Sequence, residues 1–236
     1  MGRLYNTLGY CYSEIHRSEE AWKWNLKGYE IARKLTEQYP MGRQMSAEIV
    51  INANVNLMEN LFDQGNKEEA WDRIKSFEEE LKIPYHYRGR DRCLARLDFL
   101  ASLILLERGN IDEARARIIR NLEKSRREQA KKSEGRFLRL LGEVQMIRGE
   151  TDSAIWSLSE ATQILREVGN PKQLWQAHAS LASVYDKLGR VSEAREQWGV
   201  AAEVISKTAK GLSDCKLRDG FLGAKPIREI LVNAGR

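Results

Sequence analysis

Apolar residues in this chain return every third or fourth position, over stretches far too long for strands. Between residues 172 and 188, Leu174, Ala177, His178, Leu181, Ala182, Tyr185 and Leu188 fall on one face of an α-helix. No comparable stretch alternates apolar and polar residues as a strand would. A second pattern is laid over the first: an apolar helix end, a turn residue, a few polar residues and then an alanine. It reads His16-Arg17-Ser18-Glu19-Glu20-Ala21, Gly65-Asn66-Lys67-Glu68-Glu69-Ala70, Gly109-Asn110-Ile111-Asp112-Glu113-Ala114, Gly149-Glu150-Thr151-Asp152-Ser153-Ala154 and Gly189-Arg190-Val191-Ser192-Glu193-Ala194.

This recurrence, at intervals of about 40–50 residues, predicts helical hairpins. The turn glycine ends the first helix in a left-handed conformation. The Asn, Asp, Ser or Thr after it is expected to cap the second helix, with glutamates suited to the helix dipole. The alanine keeps a side chain small where the two helices approach. The pairs expected are about 3–15 with 18–38, 43–64 with 67–82, 89–108 with 111–131, 134–148 with 151–168, and 172–188 with 191–209. Tyr39-Pro40-Met41-Gly42, Ile83-Pro84-Tyr85-His86-Tyr87 and Gly169-Asn170-Pro171 separate pairs. Between the third and fourth pairs only Gly135 marks a boundary, so that join is expected to be nearly continuous helix. Residues 1–210 form the array on this reading, and 211–236 form a C-terminal cap in which Leu217, Phe221, Leu222, Ile227, Ile230 and Leu231 cover the last hairpin. A helical pattern already under way at Arg3, with no polar capping repeat before it, points to a piece of a longer protein.

Composition narrows the function classes. Hydrophobic residues at 42% and charged residues at 31% allow a packed core and argue against disorder. No apolar run approaches the roughly 20 residues of a membrane span, and the N-terminus lacks a signal-peptide pattern. Cys11, Cys93 and Cys215 are far apart with no metal-like spacing, which fits free thiols and a cytoplasmic protein. His16, His86 and His178 form no ligand cluster. No cofactor is expected, no phosphate-binding loop is present, and no catalytic constellation stands out, so the chain is read as a non-enzyme. A net charge of +5 mildly favours acidic partners.

The residues at the turns and on the helix faces resemble the tetratricopeptide repeat (TPR) family. Leu8-Gly9 with Tyr12 and Ala21 matches its pattern, as do Leu181, Tyr185, Ala194 and Ala201, and Leu141-Gly142 with Ala154. Leu57-Met58 and Ala101-Ser102 depart from it, and the repeats exceed the family's period of about 34 residues. The strings Arg3-Leu4-Tyr5-Asn6-Thr7-Leu8-Gly9-Tyr10 and Gly169-Asn170-Pro171 with Trp175, and the tail Leu217-Arg218-Asp219-Gly220-Phe221-Leu222 with Pro226-Ile227-Arg228-Glu229-Ile230-Leu231, are similar to the C-terminal TPR regions of bacterial regulators that combine a cyclase or kinase domain with an AAA-type ATPase. The resemblance implies an all-α, TPR-like superhelical array of about five antiparallel hairpins with a C-terminal capping helix. It also implies a protein-interaction scaffold at the regulatory end of a bacterial signalling protein.

In that family the first helix of each hairpin lines a concave groove that holds a peptide or helix. Carried over by register, the groove residues are Asn6, Tyr10 and Ser13; Asn52, Val55, Asn56, Glu59 and Phe62; Arg96, Phe99 and Leu103; Arg136, Arg139 and Glu143; and Gln176, Ala179 and Ser183. Asn6 and Arg96 supply only pieces of the family's carboxylate clamp, so a chaperone-tail receptor is not expected.

Two alternatives compete. One is homo-oligomerisation through an exposed apolar face on helix 3–15. The other is a nucleic-acid-associated repeat using the basic residues between Arg115 and Arg139, whose bland reading is a solvated face with ion pairs such as Arg127 with Glu123 and Lys124 with Glu128. No aromatic stacking motif is interleaved there, so nucleic acid is not the expected partner. Trp24 and Trp175 are the tryptophans expected to be exposed as interface anchors.

Overall fold

A computed structural model describes residues 1–38, 43–80 and 90–235; the side chains of 43–47 and 80 are outside that description. The expected linkers at 39–42 and 83–87, with His86, lie outside the described residues. Those described are all-helical, with no strand among them. The elements are α1 (Gly2–Glu14), α2 (Ser18–Gln38), α3 (Arg43–Asp63), α4 (Lys67–Glu80), α5 (Arg90–Glu107), α6 (Ile111–Arg127), α7 (Lys131–Ile147), α8 (Thr151–Val168), α9 (Pro171–Lys187), α10 (Val191–Gly211), α11 (Cys215–Gly223) and α12 (Lys225–Asn233).

The hairpin turns close by backbone bonding. Gly109 and Gly149 have φ of 76° and 77°, a conformation costly for residues with a Cβ. The turn then folds back: Asn110 N donates to Leu105 O at 2.9 Å, and Glu150 N to Gln145 O at 2.8 Å. The expected side-chain caps do not form there. Asn110, Glu150 and Arg190 precede α6, α8 and α10 without a capping bond. Their φ/ψ values lie outside the extended region from which a side-chain oxygen reaches the N3 amide. Asn170 and Asp214 are extended and do cap, accepting from Gln173 N and Leu217 N at 3.0 Å each.

The alanine after each turn is buried as expected. Ala21, Ala70, Ala114 and Ala154 are 0% exposed and Ala194 is 1% exposed. Gly135 is not the boundary between α6 and α7. It lies inside α7, where an added Cβ would stand 2.6 Å from Leu165 Cγ, so this glycine serves close packing of α7 on α8. The break falls earlier, at Glu128–Ala130, with Gln129 in the left-handed region at φ 54°.

Two compact units divide the chain, Met1–Ile104 and Leu105–Arg236. In the first, α1 packs on α2 and α3, α2 on α3, and α3 on α4. Glycines bring α1 and α2 together: a Cβ on Gly28 would lie 3.1 Å from Gly2 O. In the second unit α6 packs on α7, α7 on α8 and α9, α8 on α9, and α9 on α10. Leu158, Leu181 and Val184 centre a core there with Met146, Ile155 and Tyr185 around it. The last two helices pack on α10, and Phe221 of α11 meets Trp175 of α9 with ring centroids 5.6 Å apart. Trp175 is therefore buried, and Trp24 is half-buried with its ring stacked on Tyr5 at 5.4 Å. The strongly exposed tryptophan is instead Trp156, on the outer side of α8.

Candidate functional site

A polar chain runs through the first unit from α1 and α2 to α5. It starts where α1 and α2 touch. Gly9 leaves space that the Asn25 amide fills, since a Cβ on Gly9 would lie 2.1 Å from Asn25 Oδ1. Asn25 Nδ2 donates to Asn60 Oδ1 at 2.8 Å, Asn60 Nδ2 to Ser13 Oγ at 2.7 Å, and Ser13 Oγ to Gly9 O at 3.2 Å. In the other direction Asn56 Nδ2 donates to Asn25 Oδ1 at 2.9 Å and to Asn6 Oδ1 at 2.6 Å. Asn56 Oδ1 accepts from Arg96 Nη2 at 2.5 Å. Asn25 and Asn60 are fully buried, and Asn56 and Ser13 nearly so. Burial of so many amides is tolerable because each finds a partner.

The chain ends on Arg96, which is mostly buried. Its guanidinium takes Glu59 in a two-pronged pair, Nε to Oε1 at 3.2 Å and Nη2 to Oε2, and lies 5.6 Å from the Tyr10 ring centroid. Burial works against the arginine's charge, but the Glu59 carboxylate more than offsets it and leaves the pKa raised. Beside this pair, Asn52 accepts from Cys93 Sγ at 3.0 Å and donates to Glu48 O at 2.8 Å. Helical spacing explains the arrangement. Asn52, Asn56, Glu59 and Asn60 share a face of α3, turned towards α1 on one side and Arg96 of α5 on the other.

Of the residues expected at the site, Asn6, Tyr10, Asn56, Glu59 and Arg96 are thus brought together, with Asn52 adjoining through Cys93 of α5. Phe62 is half-buried with Lys67 Nζ 5.6 Å from its ring centroid. Phe99 and Val55 are core residues. Asn56 is also interior and acts by holding Arg96.

Arg136, Arg139 and Gln176 belong to the second unit. There Arg139 Nη1 donates to Glu143 Oε1 at 2.6 Å, and Ser180 Oγ donates to the same oxygen at 2.7 Å. Arg136 and Gln176 are half-buried on α7 and α9.

Sequence register missed Asn25 and Ser180. Asn25 sits on a second helix, where only core packing is expected. Its signal was available: among the buried positions Ala21, Asn25, Gly28 and Ala32 it is the one large polar residue, and it faces Gly9.

The basic stretch is largely compensated. Lys124 pairs with Glu128 at 3.8 Å and Arg117 with Glu113 at 3.7 Å. Arg126 meets Glu134 at 3.1 Å and Glu160 at 3.3 Å, and Lys131 meets Glu134 at 2.9 Å. His178 is buried, its Nδ1 2.7 Å from Gln197 Oε1 and its Nε2 3.4 Å from Arg166 Nη2. Among the described residues no group of three His, Cys, Asp or Glu side chains is placed to hold a metal ion, and no helix is long and apolar enough to cross a membrane.

No family model matches the sequence. No curated protein matches it either. Among solved structures the chain is similar to BtubC (BKLC) from P. vanneervenii, with a TM-score of 0.61 at 13% identity, over 92% of this chain and 82% of that one. At that identity the likeness is one of fold.

Proposed function

We propose that this chain is a non-catalytic, TPR-like interaction scaffold in the cytoplasm, and that the α1–α3–α5 face of its first unit holds a polypeptide segment. The observation that carries the reading is the amide chain ending on Arg96. An interior of leucines would pack at least as well; a buried ladder of asparagines instead fixes the position of one guanidinium, whose side chain is 15% exposed. Asn6, Asn52 and Tyr10 beside it offer the donors, acceptors and ring that an extended or helical peptide needs. The sequence resemblance adds the further proposal that the chain is the regulatory end of a bacterial signalling protein. Compensation of the basic stretch by Glu113, Glu128, Glu134 and Glu160 favours a protein partner over nucleic acid.

The test is capture of binding peptides from an array by the intact chain, repeated with Asn52→Ala, Arg96→Gln and Arg136→Glu after each is shown to be folded. Loss of captured peptides with the first two variants is expected. An unchanged set removes this face from consideration. A second reading, self-association, is favoured by Met1, which precedes α1, and Leu4 on α1, which are 79% and 55% exposed. Light scattering at rising concentration tests it: a constant monomer mass ends that reading.

A further inference from the structure

We infer that the outer side of the α1–α2 hairpin is a second docking surface, and that its occupant is an acidic amphipathic helix: apolar residues on the stripe of α1, carboxylates on Lys23 and Lys27 of α2.

The packing of α1 is reversed from that of an ordinary surface helix. Its buried residues are Gly2, Gly9 and Ser13, small or polar, where it meets α2 and α3. Its apolar residues recur three or four positions apart and go uncovered. Of Met1, Leu4, Tyr5, Leu8, Tyr12 and Ile15 none is buried; the first two are strongly exposed and the rest are half-buried. An amphipathic helix normally turns such a stripe to a core. At about 100° per residue the stripe lies on the side of α1 opposite Asn6 and Tyr10, so this surface is separate from the α1–α3–α5 face.

One flank of the stripe is cationic. The Tyr5 ring stacks on Trp24 at 5.4 Å, and Lys27 Nζ lies 4.7 Å from the Tyr5 centroid and 5.5 Å from that of Trp24. Lys23 Nζ, one turn away, lies 5.9 Å from the Trp24 centroid. The rings hold both ammonium groups in place. Neither lysine has a carboxylate partner among the described residues, whereas Arg17 and Arg33 of the same hairpin pair with Glu20 and Glu37.

These features select the occupant. A straight apolar ridge along the 13 residues of α1, about 20 Å long, suits the ridges and grooves of another helix. Two positioned cations without counter-charge favour carboxylates on its flank. A second copy fits less well. The only carboxylate of α1 is Glu14, so stripe against stripe brings no acidic row to the lysines.

The experiment uses the intact chain and a capped helical peptide of about 18 residues, with leucines along one face and glutamates flanking them, beside a twin with glutamine at every glutamate. Anisotropy of the labelled peptide gives affinity, and the indole NMR signal of Trp24 locates it. The glutamate peptide is expected to bind, to move the Trp24 signal and to weaken as salt rises. The twin should bind about tenfold more weakly. Leu4→Asp, at an exposed position, should weaken the glutamate peptide about tenfold, as should Lys23→Glu combined with Lys27→Glu. The corresponding pair of glutamine substitutions gives the same direction with a smaller effect if the reversed pair folds poorly. Arg96→Gln should leave this affinity unchanged, so the two surfaces fail separately. Equal affinity for both peptides, or unchanged affinity in both lysine variants, overturns the proposal. So does absence of binding, or binding that leaves the Trp24 signal in place. Tighter binding of single-stranded oligothymidylate would make the ring stack a nucleic-acid platform and overturn it as well. A mass that doubles with concentration and returns to monomer in Leu4→Asp would give the stripe to a second copy instead.

Discussion

Gly9 shows how one missing methyl group supports a whole polar network. With a Cβ there, Asn25 Oδ1 would be only 2.1 Å away, and the amide would have to leave Asn60 and Asn56. Gly9→Ala is therefore expected to cost about 3 kcal/mol of stability, combining overpacking with unsatisfied buried amides. Urea unfolding measures it, and a loss within about 0.5 kcal/mol, as for an ordinary surface change, would count against the network. His178 makes a prediction about pH. Burial is the main cause holding its pKa below the usual 6.5; Arg166 adds to this, while Gln197 and Glu196 oppose it. The unfolded chain thus takes up a proton near 6.5 that the folded chain resists. The stability from the neutral imidazole is full above that value and is lost as pH falls towards the lower folded pKa. Urea midpoints should drop over this window, and His178→Gln should flatten the drop; equal slopes in both proteins would refute the assignment.

At the scale of the helix, periodicity was the most legible property. The helical spacing of apolar residues from Leu174 to Leu188 cannot be satisfied by a strand, and the buried alanines Ala21, Ala70, Ala114, Ala154 and Ala194 were readable because each follows its turn at a fixed distance. The end of α6 was not readable. Gln129 takes a left-handed conformation that propensity assigns to glycine, so Gly135 drew the boundary to the wrong place. Gln129→Gly should relieve that conformation and raise stability by about 0.5–1 kcal/mol, the Cβ penalty less glycine's greater entropy in the unfolded chain. A lowered urea midpoint would show that the glutamine side chain matters more than the backbone. The candidate site was legible in part for a related reason. First-helix register located Asn6, Asn56, Glu59 and Arg96, but whether a side chain at such a position lies in the core, as Phe99 does, depends on the neighbouring helix and not on spacing.

For the molecule as a whole, the last two helices complete a core that the hairpins leave open. Phe221 is fully buried and meets the buried Trp175 of α9. Phe221→Ala should cost about 3–5 kcal/mol and move tryptophan emission to longer wavelength as water reaches Trp175. Unaltered emission would mean that α11 covers little. The cysteines, unremarkable as chemistry, acquire a use from where they fall. Cys93 is buried, whereas Cys11 and Cys215 are exposed, one on each compact unit. A thiol-reactive donor and acceptor dye attached there need no engineered position. Their energy transfer would report the separation of the two units in solution.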